Sequence, residues 1–283
     1  MAGIWWLASY PKSGNTWLRA FLAYHRHYRE APESLNDLLG EPMAAYRRIF
    51  DDVTGLSSSE MNPDEIAHLR PKVYRQLGTR NQDAHYLKIH DANHLVPGGE
   101  RLIPANVTHG AIYLLRNPLD VAHSWAHHLG TSIDEAISGM GDEERTLADQ
   151  RRRTALQLPQ LLLSWGAHVR SWVDSPEFPV LILRYEDMLS GPEKEFSKVL
   201  RFIGLPEDKK RLQWAIEQSS FDKLRTRERN EGFNQTLASG RPFFRSGKTG
   251  QWKKLLSHKQ VAAIVEGNRD EMARFGYLAE IDI

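Results

Sequence analysis

Short apolar runs at four places along the chain predict buried β-strands, because each run is bounded by polar or turn-forming residues. The four runs are Ile4–Ser9, His85–Ile89, Ala111–Leu115 and Val180–Leu183. Helical patterns follow or separate them. Strands that alternate with helices favour βαβ units, so we expect an α/β fold of three layers, with a central parallel sheet flanked by helices.

Apolar residues at helical spacing predict three of these helices. After the first strand, one helix face carries Leu18, Phe21, Leu22 and His25. A second helix is expected over Leu119–Leu129, where Asn117 is a suitable N-cap and Pro118 occupies the first helical position. A third, amphipathic helix is expected over Glu193–Ile203, directly after a Gly-Pro turn.

Three longer stretches do not fit this alternation of strands and helices. Residues 26–80 are polar and lean towards helix, residues 130–153 are charged and punctuated by glycine, and residues 225–250 mix charges, glycines and phenylalanines without a period. In a compact α/β protein, structureless stretches of this kind are more often lids or binding loops than linkers. We therefore predict a single domain over residues 1–283, in which these stretches form lid or substrate-binding segments.

Charge and composition exclude several classes of function. The 37 basic and 36 acidic residues leave a net charge of +1, so the whole molecule has no field that attracts nucleic acid, and an anion site must be built locally. The absence of cysteine excludes disulfides, thiolate nucleophiles and cysteine–zinc sites. Because the chain has no run of about 18 apolar residues and no signal-peptide pattern, we expect a soluble cytoplasmic protein without a membrane partner.

The segment between the first strand and its helix has the chemistry of a phosphate loop. It has the sequence YPKSGNTW over Tyr10–Trp17. Lys12 supplies a positive charge, Gly14 lets the backbone approach an anion, and the helix N-terminus offers unpaired N–H groups. Further short donors are Ser13, Asn15 and Thr16. The lysine precedes the glycine, so this is not a Walker A loop, and an ordinary strand–loop–helix turn is the alternative.

This loop resembles the 5′-phosphosulfate-binding loop of the sulfotransferases that use 3′-phosphoadenosine 5′-phosphosulfate (PAPS), whose common form is YPKSGTTW. Asn15 stands where a threonine is usual, and it is expected to donate through its backbone and its side chain. The resemblance implies a P-loop-kinase-like fold. It also implies an enzyme that transfers a sulfuryl group from PAPS to a hydroxyl of a small-molecule acceptor, without a metal, and releases adenosine 3′,5′-bisphosphate (PAP). Trp17 would stack on the nucleotide base, with packing in the core as its alternative.

Two further segments match the family's contacts with the 3′-phosphate. RNPLDVAHSW, after the third strand, resembles the RNPxDVxxS motif and places Arg116 and Ser124 at the matching positions. The structural alternative is that Arg116 pairs with Asp120. FRSGKTGQW, near the C-terminus, is similar to the family's RKGxxGDWK segment, and its matching positions are Arg245, Ser246, Gly247 and Trp252. In this segment Ser246 replaces a lysine and Gln251 replaces an aspartate, which leaves its contacts with the nucleotide open.

The segment LKIHDAN, at the end of the second strand, carries the expected catalytic pair. The family has a lysine and a histidine two residues apart here, and Lys88 and His90 match them. At this spacing both side chains point to the same side of the strand. The resemblance implies that His90 is the general base, that Lys88 holds the transferring group and that Lys12 meets the charge on the leaving oxygen. The chain has 12 histidines, so a structural role is the default alternative for any single one.

Three more residues match the family's contacts with the nucleotide. Tyr185 lies in LRYEDM at the end of the fourth strand. The sequence QSSF over residues 218–221 resembles the family's TSF, which implies contacts of Ser219 and Phe221 with the adenine.

In HSWAHH, His123 and His127 have the spacing of metal ligands on a helix, but no third ligand stands at a natural spacing, and no metal site is predicted.

Two rival functions remain open on the sequence, namely a small-molecule kinase of the related nucleoside-triphosphate fold and a non-catalytic nucleotide-binding protein. A kinase of this kind needs a Walker lysine followed by serine or threonine, which the chain lacks, and a pure binder needs no base beside the sulfuryl group.

A phenol, an alcohol, a glycan and an amine all remain open as acceptors, because the family motifs do not cover most of 26–80 and 130–175, where the acceptor specificity is expected to lie. A homodimer also remains open, since SHKQVAAIVEGNRDEM departs from the family's dimer-forming pattern.

Overall fold

The computed structural model describes residues 2–30, 34–39, 43–80, 84–148, 156–174, 177–234 and 242–281. Its strands are β1 (Gly3–Ser9), β2 (Ala84–Ile89), β3 (Thr108–Leu115), β4 (Thr146–Leu147), β5 (Gln160–Leu161) and β6 (Val180–Arg184). Its α-helices are α1 (Asn15–Arg26), α2 (Leu35–Leu38), α3 (Arg47–Thr54), α4 (Pro63–Arg80), α5 (Pro118–Leu129), α6 (Ile133–Gly141), α7 (Trp165–Val173), α8 (Tyr185–Ser190), α9 (Pro192–Phe202), α10 (Lys209–Gln218), α11 (Phe221–Glu231), α12 (Trp252–Leu255) and α13 (His258–Arg274).

Within the described residues, the main sheet is parallel and has four strands in the order β2-β1-β3-β6. Leu7 of β1 lies beside Lys88 of β2. Leu115 of β3 lies beside Arg184 of β6. All four strands therefore end at one edge of the sheet, and the residues that follow them emerge side by side. In open α/β sheets ligands bind at this edge, where the chain crosses from one side of the first strand to the other.

The structure confirms the four predicted strands and the three predicted helices. The strand β3 begins earlier than predicted, at Thr108, which pairs with Ile4 of β1; the register then shifts, and Gly110 pairs with Trp5. The start of α5 follows the predicted capping, since Oδ1 of Asn117 accepts the backbone N–H of Leu119 at 3.0 Å. Local signals therefore define these boundaries well.

The three stretches that interrupt the alternation contain more regular structure than expected. Residues 26–80 hold α2, α3 and α4, in line with their helical leaning. Residues 130–153 hold α6, which begins with a capping box between Ser132 and Glu135, and residues 225–250 begin inside α11. The expectation of structureless segments was wrong for α6 and for the part of α11 that lies in 225–250. Parts of the stretches, at 31–33, 40–42, 149–153 and 235–241, lie outside the described residues.

Apolar side chains cover both faces of the sheet and give the three layers that were predicted. Successive residues of β1 alternate between two clusters, with Trp6 on one face and Leu7 on the other. The first cluster includes Trp172 of α7. The second joins α1 to α9, where the rings of Phe21 and Phe196 stack with centres 3.9 Å apart. None of the described helices is long and apolar enough to cross a membrane.

Candidate active site

The loop between β1 and α1 has a backbone conformation that requires glycine. Lys12 has a φ of 69° and Gly14 a φ of 101°, both in the left-handed region. A Cβ atom at Gly14 would lie 2.7 Å from Cδ2 of Tyr185, so glycine is needed here for space as well as for conformation. The helix α1 starts at Asn15, and the unpaired N–H groups of its first turn belong to the same loop.

The side chain of Asn15 faces β1 rather than the loop. Its Nδ2 donates to the carbonyl oxygen of Leu7 at 2.8 Å and to Oγ of Ser9 at 3.2 Å. The expected donation from this side chain to a bound anion is therefore wrong, and the backbone N–H is the donor that Asn15 can supply. Two other predicted donors, Ser13 and Thr16, are also buried, and Oγ of Ser13 has no hydrogen-bond partner among the described residues.

One cavity of about 1640 Å³ collects nearly all the predicted site residues. Those that line it are Lys12, Gly14, Asn15, Thr16, Trp17, Lys88, His90, Arg116, Ser124, Tyr185, Ser219, Phe221, Arg245, Ser246 and Gly247. Ser13 is the exception, because its side chain is buried behind the wall. Cavities for one small ligand usually measure roughly 300–1,000 Å³, so this cavity has room for two reactants.

The positively charged groups around this cavity repel one another, and this repulsion lowers their pKa values. Burial, followed by the charges of Arg116 and Arg245, lowers the pKa of Lys12 to about 8. Burial, followed by the charges of Arg19 and Lys12, lowers the pKa of Lys88 to about 7. Burial and the charge of Arg116 also lower the pKa of Arg245. This repulsion costs free energy in the protein alone, and a bound polyanion would relieve it.

Arg116 joins the loop between β1 and α1 to the C-terminal segment, residues 242–252. Its Nη1 donates to the carbonyl oxygen of Lys12 at 2.9 Å, and its Nη2 donates to the carbonyl oxygen of Lys248 at 3.1 Å. Its Cζ lies 4.4 Å from the centre of the Tyr185 ring. Its Nε is buried and has no hydrogen-bond partner within the described part of the chain. The guanidinium is thus held in place by two of its N–H groups, and its Nε–H is among the donors that remain unused.

Two buried carboxylates hold the C-terminal segment, residues 242–252, against the site. Asp120 of α5 accepts the backbone N–H groups of Gly250 at 2.7 Å and Trp252 at 3.1 Å. Glu228 of α11 accepts the N–H groups of residues 243 and 244 at 2.6 and 2.9 Å. Asp120 is therefore engaged with this segment, and the alternative in which it pairs with the arginine of the RNPLD motif is wrong. Trp252 packs in the core rather than in the cavity wall.

His90 has a defined tautomer in this structure. Its Nδ1 lies 2.8 Å from the carbonyl oxygen of Ser9 and 3.3 Å from Oγ of the same residue. Because a carbonyl oxygen only accepts, Nδ1 carries the proton, and Nε2 of the neutral ring is unprotonated. Burial, followed by the charge of Lys88, holds the pKa of His90 well below 6.5. The ring is therefore a neutral proton acceptor at neutral pH, which is the state that a general base requires.

A second histidine holds the backbone of His90, and the sequence analysis did not single it out. Nε2 of His168 lies 3.0 Å from the carbonyl oxygen of His90, and its Nδ1 lies 2.8 Å from the hydroxyl of Tyr113. His168 thus donates from Nε2 and accepts at Nδ1. Burial lowers the pKa of His168 to about 4, which keeps the ring neutral. No local motif connects two residues that stand 78 positions apart.

A buried ion pair fixes the residue that follows His90. The two carboxylate oxygens of Asp91 each lie 2.6 Å from a guanidinium nitrogen of Arg70, whose side chain is 3% exposed. Arg70 also donates twice to the hydroxyl of Tyr74, and the carbonyl oxygen of Asp91 accepts Nε1–H of Trp172. The turn after β2 is therefore held through both the side chain and the backbone of Asp91.

Aromatic side chains form the part of the cavity that is predicted to receive the adenine. The edge of Trp17 meets the ring of Tyr185, with ring centres 5.8 Å apart. A Cβ atom at Gly247 would lie 2.4 Å from Phe221, so the backbone of the C-terminal segment packs directly on that ring. Ser219 is fully buried, and its hydroxyl donates to a carbonyl oxygen of its own helix at 3.3 Å.

All three stretches that were predicted as lid segments contribute to the cavity wall. Examples are Met43, Tyr46 and Ile49 from 26–80, Leu147 from 130–153, and Phe233 and Phe243 from 225–250. Their position agrees with a role around a bound substrate, and their movement as lids stays a prediction.

The helix α5 adds wall residues that the sequence analysis missed. They are Trp125, His128 and Leu129. The signal for His128 is the helical spacing, because it stands four positions after Ser124 and lies on the same face. Trp125 and Leu129 are also four positions apart and form the neighbouring stripe of the helix. Within the described ranges, no group of three histidine, aspartate or glutamate side chains is arranged to hold a metal ion, and this includes the surroundings of His123 and His127.

Comparisons with known proteins relate this chain to one family. Residues 4–276 match a family model described as a sulfotransferase domain. The chain is 27% identical over 270 residues to flavonol 3-sulfotransferase of Flaveria bidentis, covering 91% of this chain and 78% of that protein. It is 26% identical over 263 residues to sulfotransferase 1A1 of Bos taurus, covering 90% and 78%. The crystal structure of retinol dehydratase in complex with androsterone and inactive cofactor PAP shares the fold, with a TM-score of 0.63 at 19% identity over 95% of this chain and 80% of that one.

Proposed function

The chain belongs to the sulfotransferase family, and from that premise we propose that it transfers a sulfuryl group from PAPS to a hydroxyl of a small-molecule acceptor. The products are PAP and the sulfated acceptor. In this proposal residues 1–283 act as one catalytic domain, in which parts of 26–80, 130–153 and 225–250 surround the acceptor. The proposal rests on the family together with the chemistry of the cavity.

The observation that carries the proposal is the group of positive charges around one cavity. Lys12, Lys88, Arg116 and Arg245 come from four separate segments and line the same space. The carboxylates of Asp120 and Glu228 accept backbone N–H groups, so their bonds stabilise the C-terminal segment. Buried positive charges without full compensation are costly, and a ligand with two phosphate-type groups would offset that cost.

The residues fit the two charged ends of PAPS. We assign the 5′-phosphosulfate to the loop at residues 12–17 and the 3′-phosphate to Arg116, Ser124 and Arg245. The unpaired Nε–H of Arg116 is a donor that such a ligand would use. Ser246 offers a hydroxyl and a backbone N–H where the family has a lysine. The adenine is assigned to Trp17, Tyr185, Ser219 and Phe221.

In the proposed reaction the acceptor oxygen attacks sulfur in line with the bond to the leaving phosphate oxygen. Nε2 of His90 takes the hydroxyl proton, and Lys88 holds the sulfuryl oxygens. Lys12 stabilises the charge that grows on the leaving oxygen. The protein thus contributes position and charge rather than a covalent intermediate, and because the lysines neutralise the growing charge the proposal includes no metal.

The acceptor is proposed to be a small molecule with an apolar body. Met43, Ile49 and Leu147 line the cavity and are not assigned to the nucleotide. Related proteins agree with this, since one is a flavonol sulfotransferase and the retinol dehydratase structure holds androsterone.

The test of the proposed function is stabilisation by PAP in the absence of magnesium. At 100 times its dissociation constant, PAP should raise the free energy of unfolding by roughly 2.7 kcal/mol, because it binds the folded state alone. Thermal shift across a PAP titration measures this effect. Adenosine, which lacks both phosphates, is the control and should give little shift at the same concentration.

Two other outcomes would favour the rival functions. A larger stabilisation by ATP with magnesium than by PAP would favour the kinase. Stabilisation by PAP without sulfate transfer from labelled PAPS to any member of a mixed acceptor panel would favour a non-catalytic nucleotide-binding protein.

Replacing Arg116 or Arg245 by alanine should weaken PAP binding more than folding. Each change removes a charge-assisted contact worth about 1.5–3 kcal/mol, which corresponds to roughly tenfold to hundredfold in affinity. Calorimetric titration measures it. Arg211→Ala is the matched control, because Arg211 also donates to two backbone carbonyl oxygens but does not line the cavity. Unchanged affinity in both cavity variants would contradict the assignment of the 3′-phosphate.

A further inference from the structure

We propose that His168 of α7 is a positioning residue for sulfuryl transfer, which acts by holding the base His90 in place. This inference rests on the proposed function, in which Nε2 of His90 takes the hydroxyl proton. It deepens that function by naming a residue that touches neither reactant, since His168 is fully buried and does not line the cavity. The hydrogen bonds of residues 90–93, here called the base turn, carry the inference.

Three backbone groups of the base turn bond to side chains on one face of α7. The carbonyl oxygen of residue 90 accepts from Nε2 of His168 at 3.0 Å, and that of residue 91 accepts from Nε1 of Trp172 at 2.9 Å. The N–H of residue 93 donates to Oγ of Ser171 at 3.0 Å. Positions 168, 171 and 172 are three and four residues apart, so one face of the helix fixes the path of the turn.

A neighbouring strand determines which nitrogen of His168 carries the proton. Its Nδ1 lies 2.8 Å from the hydroxyl of Tyr113 on β3, and both residues are fully buried. Because the carbonyl oxygen of His90 only accepts, Nε2 donates to it, and Nδ1 of the neutral ring accepts from the hydroxyl. Tyr113 thus favours the tautomer of His168 that presents an N–H to His90.

His90 is therefore held at two points, one on its ring and one on its backbone. The ring donates from Nδ1 to the carbonyl oxygen of Ser9 on β1 at 2.8 Å, and the backbone carbonyl accepts from His168. The position of Nε2 relative to an acceptor hydroxyl depends on both bonds. Because a displacement of about 1 Å can lower the rate of an enzyme by roughly 100-fold, loss of the bond from His168 should slow proton transfer.

The helix α7 is itself held in place by the C-terminal helix α13. Oδ1 of Asn268 accepts the N–H of Gly166 at 3.0 Å, and Nη1 of Arg170 lies 2.6 Å from a carboxylate oxygen of Glu271. A Cβ atom at Gly166 would lie 3.0 Å from Glu271, so glycine permits the close approach of the two helices. The position of His168 is thus set by parts of the chain outside the cavity wall.

The experiment compares two substitutions of His168 by steady-state kinetics with a phenol acceptor. His168→Phe keeps a ring but removes both nitrogens. It should lower kcat by roughly 10–100-fold, while the acceptor KM and the affinity for PAP change by no more than about threefold. His168→Gln keeps a donor and an acceptor and should recover most of the turnover. Tyr113→Phe removes a single oxygen atom and should lower kcat in the same direction by a smaller factor.

The control is Val169→Ala, because Val169 is buried on the same helix but has no polar side-chain atom that could bond to the base turn. This variant should lower stability in urea unfolding and keep the wild-type kcat. A second measurement uses the His90→Asn background. There His168→Phe should lower turnover by less than about twofold, because a residue that acts through the base has no further effect once the base is absent.

Three results would overturn the inference. The first is a kcat in His168→Phe, or in Tyr113→Phe if the former does not fold, that equals the kcat of Val169→Ala. The second is a loss that His168→Gln does not recover. The third is a loss as large in the His90→Asn background as in the wild type. The proposed function fails separately, in the wild type itself, through absence of PAP binding or of sulfate transfer to any acceptor, and the inference then fails with it.

Discussion

Replacing His90 by alanine or asparagine is expected to lower turnover by roughly 10²–10⁴-fold while PAP binding changes little. The tautomer of His90 explains why turnover should depend on this ring. Nδ1 donates to the carbonyl oxygen of Ser9, which leaves Nε2 free to take a proton. The nucleotide is assigned to other segments, through Lys12, Arg116 and Arg245, so its binding does not depend on the imidazole.

Turnover and affinity must be measured together for this variant. Steady-state rates with a series of phenols give the first quantity, and calorimetric titration with PAP gives the second. An acidic phenol is already partly ionised and needs less help from a base, so the deficit of the variant should shrink as the acceptor pKa falls. His94→Asn is the matched control, because Nδ1 of His94 also lies 2.9 Å from a backbone carbonyl oxygen but His94 does not line the cavity.

Wild-type turnover in His90→Asn on every acceptor would remove His90 from the mechanism. Its two polar neighbours would not be equal replacements. Asp91 is fully buried, and both its oxygens bind Arg70, so it cannot reach an acceptor. Lys88 lines the cavity, and burial lowers its pKa to about 7, so it would be the next base to test.

The ends of the strands could be predicted because a buried parallel strand is a short apolar run. The polar residue that follows such a run must lie at the ligand edge of the sheet. Lys88, His90 and Arg116 stand at such ends, and they line one cavity together with Lys12. The fold and the group of cations therefore followed from strand ends and from motifs that resemble those of the family.

Side-chain directions and distant contacts could not be predicted in this way. Asn15 was an expected donor to an anion, but its amide bonds to β1, because Leu7 and Ser9 present oxygens that the loop sequence does not reveal. His168 supports His90 across 78 positions, without a local signal. The helix α6 was missed because its glycines and charges outweighed the capping box that begins it.

The buried pair of Arg70 and Asp91 should have the largest effect on stability. Arg70→Met is expected to lower the free energy of unfolding by about 3–5 kcal/mol, because it leaves an uncompensated carboxylate in a site without solvent. Burial alone would lower the pKa of Arg70, yet the charges of Asp91 and Tyr74 and the hydrogen bonds to both residues together outweigh burial and raise it. Each charge therefore depends on the other. Urea unfolding measures the loss.

Two further variants separate a broken ion pair from simple loss of packing. Arg201→Met is the matched control, since the pair of Arg201 and Glu207 is largely exposed and should change stability by only about 0.5 kcal/mol. The double variant Arg70→Met/Asp91→Leu removes both charges and should recover most of the loss, because well-packed apolar side chains replace buried ion pairs at little cost. If the single variant costs no more than Arg201→Met, the pair does not stabilise the turn that carries His90. If the double variant is worse than the single one, the hydrogen bonds to Tyr74 and the packing around them, rather than the unpaired charge, account for the loss.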